Sequence, residues 1–123
     1  MILTDTSVWV DHLRAGDPQL TVELNRGAIL MHPFVSAELA LGSLGPRRGK
    51  ILREIDSLPM AKVAHNAEVR LLIEQRSLFG RGFGYVDAHL IAAILLTPDT
   101  RLWTRDKRLR ALAETLGMHV HLS

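Results

Sequence analysis

Five apolar runs of strand length alternate with stretches of helical hydrophobic spacing, and this alternation constrains the chain more than any other feature. The runs are "MILTD" (1–5), "AILMH" (28–32), "AKVA" (61–64), "RLWT" (101–104) and "MHVHL" (118–122). Helix signals fill the intervals. Thr6 or Ser7 caps a first helix that stops near Gly16, and Asp17 caps a second with Pro18 at its first position and Gly27 as its stop. "PFVSAELALGSL" reads as a buried helix. "PRRGKILREIDSL" puts Ile51, Leu52, Ile55 and Leu58 on one stripe, with Arg47, Arg48, Lys50 and Arg53 largely off it. Further helices start at Asn66, within "GYVDAHLIAAILL" (84–96), and at the Asp106 cap, the last stopped by Gly117. Such alternation predicts an α/β fold, a three-layer sandwich with a mostly parallel central sheet of about four to five strands flanked by helices. Residues 1–123 are expected to form one domain.

Composition narrows the chemistry. The chain has no cysteine, which removes disulfides, thiolate metal ligands and cysteine nucleophiles. The longest apolar run, Leu90 to Leu96, stops at Pro98 and is too short to span a bilayer. The opening "MILTDTSVWV" lacks the basic start of a secretory signal, so a cytoplasmic location is expected. A net charge of +2 says little about partners, but basic residues concentrate in "GPRRGKILR" (45–53) and "TRDKRLR" (104–110). Basic patches beside acidic pockets suit a polyanion bound near a metal, although most single arginines are explained as solvated helix faces.

In parallel α/β sheets ligands bind beyond the carboxyl ends of the strands. Asp5 directly follows the first strand and Asp106 comes just after "RLWT". Taken singly, a turn explains Asp5 and an N-cap explains Asp106. Glu38 sits among Phe34, Val35, Leu39 and Leu41, and Asp87 opens an otherwise apolar helix, where a capping role is the alternative. Buried carboxylates cost several kcal/mol unless they are paired, hydrogen-bonded or ligated. If the four converge on one pocket, their mutual repulsion requires a cation, and oxygen-only ligation points to Mg²⁺ or Mn²⁺. A hydrated divalent ion flanked by basic helices suits phosphodiester hydrolysis. Arg81, Arg105 and Lys107 are the basic residues placed to touch phosphate.

The segments "ILTDTSVWVDHLR", "VSAELALG", "GYVDAHLIAA" and "LWTRDKRLRALAETLG" resemble the PIN-domain nucleases, and more closely the VapC-type toxins of bacterial toxin–antitoxin pairs. The resemblance covers essentially the whole chain. It implies that Asp5, Glu38, Asp87 and Asp106 form a catalytic and metal-binding acidic quartet, with Asp5 and Asp87 the most direct ligands. Thr6 and Thr104 would orient a carboxylate or a water. It further implies Mg²⁺-dependent endoribonuclease activity, a homodimer, and neutralisation by a VapB-like antitoxin whose tail wraps the toxin near its active site.

Other readings carry less. A housekeeping PIN-domain RNA-processing nuclease would have the same residues, and a non-catalytic interaction module would use the acids only to bind metal structurally. A receiver-type signalling domain would need an aspartate after its third strand, where "AKVAHNAEV" has none. The six histidines lack paired-ligand spacing, with His89 read as a satisfied polar residue and His119 and His121 as one face of an exposed edge strand. "GRGFG" (80–84) lacks a phosphate fingerprint and reads as a rim of the site. Ser7 has no evident base, and Trp9 and Trp103 read as core.

Overall fold

The computed structural model describes residues 1–123. Strand β1 (Ile2–Thr4) lies at the centre of a three-stranded sheet, between β2 (Ile29–Leu30) and β3 (Arg101–Trp103), with both pairings parallel. Leu3 is in register with Leu30 on one side and Leu102 on the other. Seven α-helices accompany the sheet: α1 (Thr6–Ala15), α2 (Pro18–Asn25), α3 (Pro33–Ala40), α4 (Arg48–Asp56), α5 (Asn66–Gln75), α6 (Tyr85–Leu96) and α7 (Lys107–Thr115). The α/β architecture with a parallel sheet agrees with the sequence expectation, but the sheet has fewer strands.

The two missing strands are single bridging residues. Met31 donates to Pro59 O at 2.8 Å and accepts from Ala61 N at 2.6 Å, so Met60 alone extends the sheet there, and "AKVA" forms no strand. The ladder stops because the next residue, His32, already caps α3 and Pro33 begins it. At the other edge Leu102 donates to Met118 O at 2.7 Å and accepts from Val120 N at 2.9 Å around His119, with Thr104 to Asp106 turning away to start α7. "MHVHL" is therefore not an edge strand.

Local capping chemistry sets the helix starts. Asp17 accepts from Leu20 N at 3.1 Å with Pro18 at the first helical position. Asp106 accepts from Leu109 N at 2.9 Å. The first helix differs from expectation, since its N-cap is Asp5, which accepts from Ser7 N at 2.9 Å, rather than Thr6 or Ser7. The helix therefore starts at Thr6, and the carboxylate before it takes an orphan amide of the first turn. α5 ends at Gln75, before Ser77 adopts a left-handed backbone with φ of 51°.

The core gathers on both sides of β1. Leu3, Val8, Leu20, Val35, Val69 and Leu109 are fully buried. Helix α6 is apolar all round and buries every residue from Ala88 to Ile94, packing on α5 and β3, as a core helix must. Trp9 and Trp103 lie in the core. No helix is long and apolar enough to cross a membrane.

Candidate active site

Because all three strands are parallel, their carboxyl ends open on one edge, and the chain leaves that edge each time carrying a functional group. Asp5 follows β1 and is 6% exposed. Both its oxygens are held. Oδ1 accepts from Ser7 N at 2.9 Å and from Ser7 Oγ at 2.5 Å, while Oδ2 accepts from Thr104 Oγ1 at 2.5 Å.

The direction of these hydroxyl protons is dictated by backbone amides, which can only donate. Arg105 N donates to Ser7 Oγ at 2.9 Å, and Asp106 N donates to Thr104 Oγ1 at 3.1 Å. Each hydroxyl thus accepts from the β3–α7 loop and spends its one proton on Asp5. Burial nevertheless pushes the Asp5 carboxyl above the usual carboxylate range, with the donors from Ser7 and Thr104 pulling the other way. Oδ2 retains a lone pair with no protein donor.

The remaining acids each have one oxygen tethered. Glu38, in α3, accepts from Thr6 Oγ1 at 2.6 Å. Its side chain is exposed, so the apolar neighbours read from sequence do not enclose it: Val35 and Leu39 are buried, and Leu41 is 89% exposed. Helical spacing identifies a shared stripe but not which stripe meets the core. Asp87 is half-buried in the first turn of α6 and accepts from Gly84 N at 3.0 Å, so the capping role is real. Capping leaves its other oxygen free. Asp106 is exposed and uses one oxygen as the α7 cap.

Electrostatics link these acids across the edge. The Asp87 carboxyl is raised above its ordinary value by burial first, and then by the negative charges of Asp106 and Glu38. Asp87 and Asp106 line an open cleft of about 420 Å³ with Gly82, Phe83, Lys107 and Arg108. As the side chains stand, no three carboxylates or imidazoles close on a common point as a direct metal cage would require. The donor set still fits a hard, hydrated ion: it is all oxygen, mutually repulsive, and each acid keeps a lone pair free, and such an ion retains waters between itself and some of its carboxylates.

The basic residues divide. Lys107 lines the cleft and is exposed. Arg81 is exposed and its guanidinium lies 5.3 Å from the centre of the Phe83 ring. Arg105 is a correction. Its guanidinium donates to Asp11 at 2.7 Å and to Asp17, and its Nε to Ser123 O at 2.8 Å, so every edge is engaged within the protein and none faces the cleft as a free phosphate contact. The tripeptide "TRD" carries no sign of partners that lie 88 and 94 residues away in sequence.

Sequence reasoning missed two residues. Ser7, weighed as a helix cap and as a nucleophile, instead orients Asp5, and its signal was an aspartate N-cap with a hydroxyl two residues on. Arg108 lines the cleft and reaches Gly82 O at 3.4 Å. Glycine suits the φ of +83° there, and a Cβ would displace the mobile end of Arg108, whose Nη1 lies 1.9 Å from its place. The "GRGFG" segment thus does form one wall of the cleft through Gly82 and Phe83.

Two histidines are buried in the core. His32 is fully buried, caps α3 by accepting from Phe34 N at 3.0 Å, and is pushed down to about 4 by burial and by His89. His89 is 3% exposed, and its Nδ1 has no hydrogen-bond partner, contrary to its reading as a satisfied polar group. It is packed by ring edges instead, with Phe34 at 4.4 Å and Tyr85 at 4.6 Å between centroids.

Comparison with known proteins gives the family. The model of the PIN domain family matches residues 2–115. Two curated relatives, both named Ribonuclease VapC32, from the CDC 1551 / Oshkosh and ATCC 25618 / H37Rv strains of Mycobacterium tuberculosis, are 45% identical over 118 residues, covering 96% of this chain and 94% of theirs. A match of that extent includes β1, β3 and all the helices between them, and the chain belongs to the PIN-domain family, among its VapC-type members.

Proposed function

We propose that this protein is a Mg²⁺- or Mn²⁺-dependent endoribonuclease that acts as a toxin and is neutralised by a VapB-like antitoxin. The observation that carries the catalytic part is the cleft that Asp87 and Asp106 line together, Asp106 following a strand that runs parallel to the central strand leading into Asp5. The ribonuclease name of a relative 45% identical over nearly the whole chain supports the reaction class.

Asp5 would hold the ion through the remaining lone pair of Oδ2, and Glu38, Asp87 and Asp106 through their untethered oxygens. Bound there, a divalent ion acidifies an associated water and neutralises charge developing on the scissile phosphate. The chain's own groups supply the rest. Ser7 and Thr104 fix the Asp5 carboxylate, Thr6 fixes Glu38, and the Gly84 amide fixes Asp87, so none has to reorganise as the reaction proceeds. Lys107, Arg108 and Arg81 flank the cleft and would hold the RNA backbone by charge, without reading its sequence.

We place neutralisation at an apolar groove. Val10, Leu13, Leu39, Leu44 and Ile51 line a groove of about 370 Å³ whose rim includes Glu38. An apolar antitoxin segment docked there would lie beside the acidic edge. A homodimer belongs to the same reading, resting on the relationship to VapC-type proteins.

The deciding experiment offers a mixed structured RNA pool to purified protein with Mg²⁺ or Mn²⁺, with EDTA and Asp5→Asn as controls. The expected result is endonucleolytic cleavage that EDTA abolishes and folded Asp5→Asn lacks. If wild type stays inert over a range of metals and RNAs while folded, the enzymatic reading fails and a non-catalytic module replaces it.

A further inference from the structure

We infer that Arg105 is a positioning residue for Asp5: its guanidinium clamps Asp11 and Asp17 so that the β3–α7 loop presents its amides to the two hydroxyls that orient the carboxylate. The inference rests on the nuclease reading for its catalytic consequence.

The clamp gathers four parts of the chain. Asp11 comes from α1, Asp17 is the N-cap of α2, Ser123 brings the terminal carbonyl, and Arg105 itself sits between β3 and α7. Arg105 also lies over the Trp103 ring, 5.6 Å from its centre. Its side chain is 23% exposed and Asp17's 10%, so this is not one of the solvated surface pairs that contribute little.

What the clamp holds is the next link. The Arg105 amide lies 2.9 Å from Ser7 Oγ, and Ser7 Oγ lies 2.5 Å from Asp5 Oδ1. The adjoining Asp106 amide does the same through Thr104 to Oδ2. A loop free to shift would lose both amides together, leaving each hydroxyl able to rotate away from Asp5. Lysine cannot replace arginine here, because an ammonium presents no planar fork to two carboxylates and a carbonyl. This separates the clamp from a phosphate contact, for which a lysine would keep the charge.

The test compares Arg105→Ala, Arg105→Lys and the pair Asp11→Asn with Asp17→Asn, using kcat and KM for RNA cleavage and Mn²⁺ affinity by electron paramagnetic resonance without RNA. Circular dichroism confirms folding at the assay temperature, and single Asp11→Asn serves if Arg105→Ala does not fold. All variants should lose about tenfold in kcat with KM nearly unchanged, and bind Mn²⁺ several-fold more weakly. Combining Arg105→Ala with the aspartate changes should add little further. The acid removals are decisive, because a more positive protein would bind RNA better on charge alone. The inference is overturned if Arg105→Ala keeps wild-type kcat and Mn²⁺ affinity, or if Arg105→Lys restores both. A raised KM at constant kcat would instead assign Arg105 to RNA. Wild type that cleaves nothing would sink the nuclease reading, while the Mn²⁺ comparison would still judge the clamp.

Discussion

Replacing Asp87 by Asn should make the metal-free protein more stable and the metal-loaded protein less so. Asp87 is half-buried and carries the negative fields of Asp106 and Glu38, which together raise its pKa above the usual carboxylate range. The amide keeps an oxygen to accept from Gly84 N, so the cap survives while the charge is lost. Relief of partial burial and like-charge repulsion, reduced for solvent screening, is worth about 1 kcal/mol. For a chain of this length that corresponds to roughly 3–5 °C in Tm.

The sign with pH is definite. A carboxyl whose folded pKa is raised penalises the fold fully above that folded pKa; the penalty fades as pH falls through the folded pKa and is gone below the unfolded value. The advantage of Asp87→Asn in EDTA should therefore be present at pH 7 and shrink toward acid. Asp5 shifts in the same direction, but it is common to both proteins and cancels in the difference. With Mg²⁺ at about a hundred times its Kd, wild type gains about 2.7 kcal/mol and overtakes the variant, which binds the ion weakly. Thermal denaturation in EDTA and in Mg²⁺ measures both effects. An Asp87→Asn protein less stable than wild type in EDTA at pH 7 would refute the reasoning, since it would mean that the four acids are not in mutual repulsion.

Other perturbations probe separate links. Ile91→Ala, at a fully buried α6 position, should cost about 2–5 kcal/mol in chemical denaturation. His32 stays neutral in the fold down to about 4, so it removes stability as pH falls from the ordinary histidine value toward that point. His32→Asn can still cap α3 but does not titrate, and should flatten that part of the stability–pH curve. Arg108→Ala should raise KM for RNA and lower the salt slope of binding by about one, with kcat little changed. An unaltered salt slope would place Arg108 outside the RNA path.

What the sequence determined by itself is what local physics encodes. The Asp17 and Asp106 caps, the Asn66 helix start and the all-round burial of α6 were legible because an N-cap bond spans three residues and a helical stripe repeats within two turns. The candidate acids were legible for the same reason, as carboxylates just past strand runs or within apolar helices. Tertiary structure decided the rest. Whether a short apolar run becomes a strand depends on a partner with backbone left to pair, and the partners of "AKVA" and "MHVHL" turn into α3 and α7 after one bridge. Glu38 is exposed because α3 buries a neighbouring stripe, a choice that spacing leaves open. Asp5 takes a donor from Thr104, 99 residues away, and Arg105 is withdrawn from the cleft by Asp11 and Asp17, 94 and 88 residues away. No periodicity of 2 or 3.6 carries that information, because contacts so distant are set only when the elements pack and each charge meets the neighbour that burial leaves within reach.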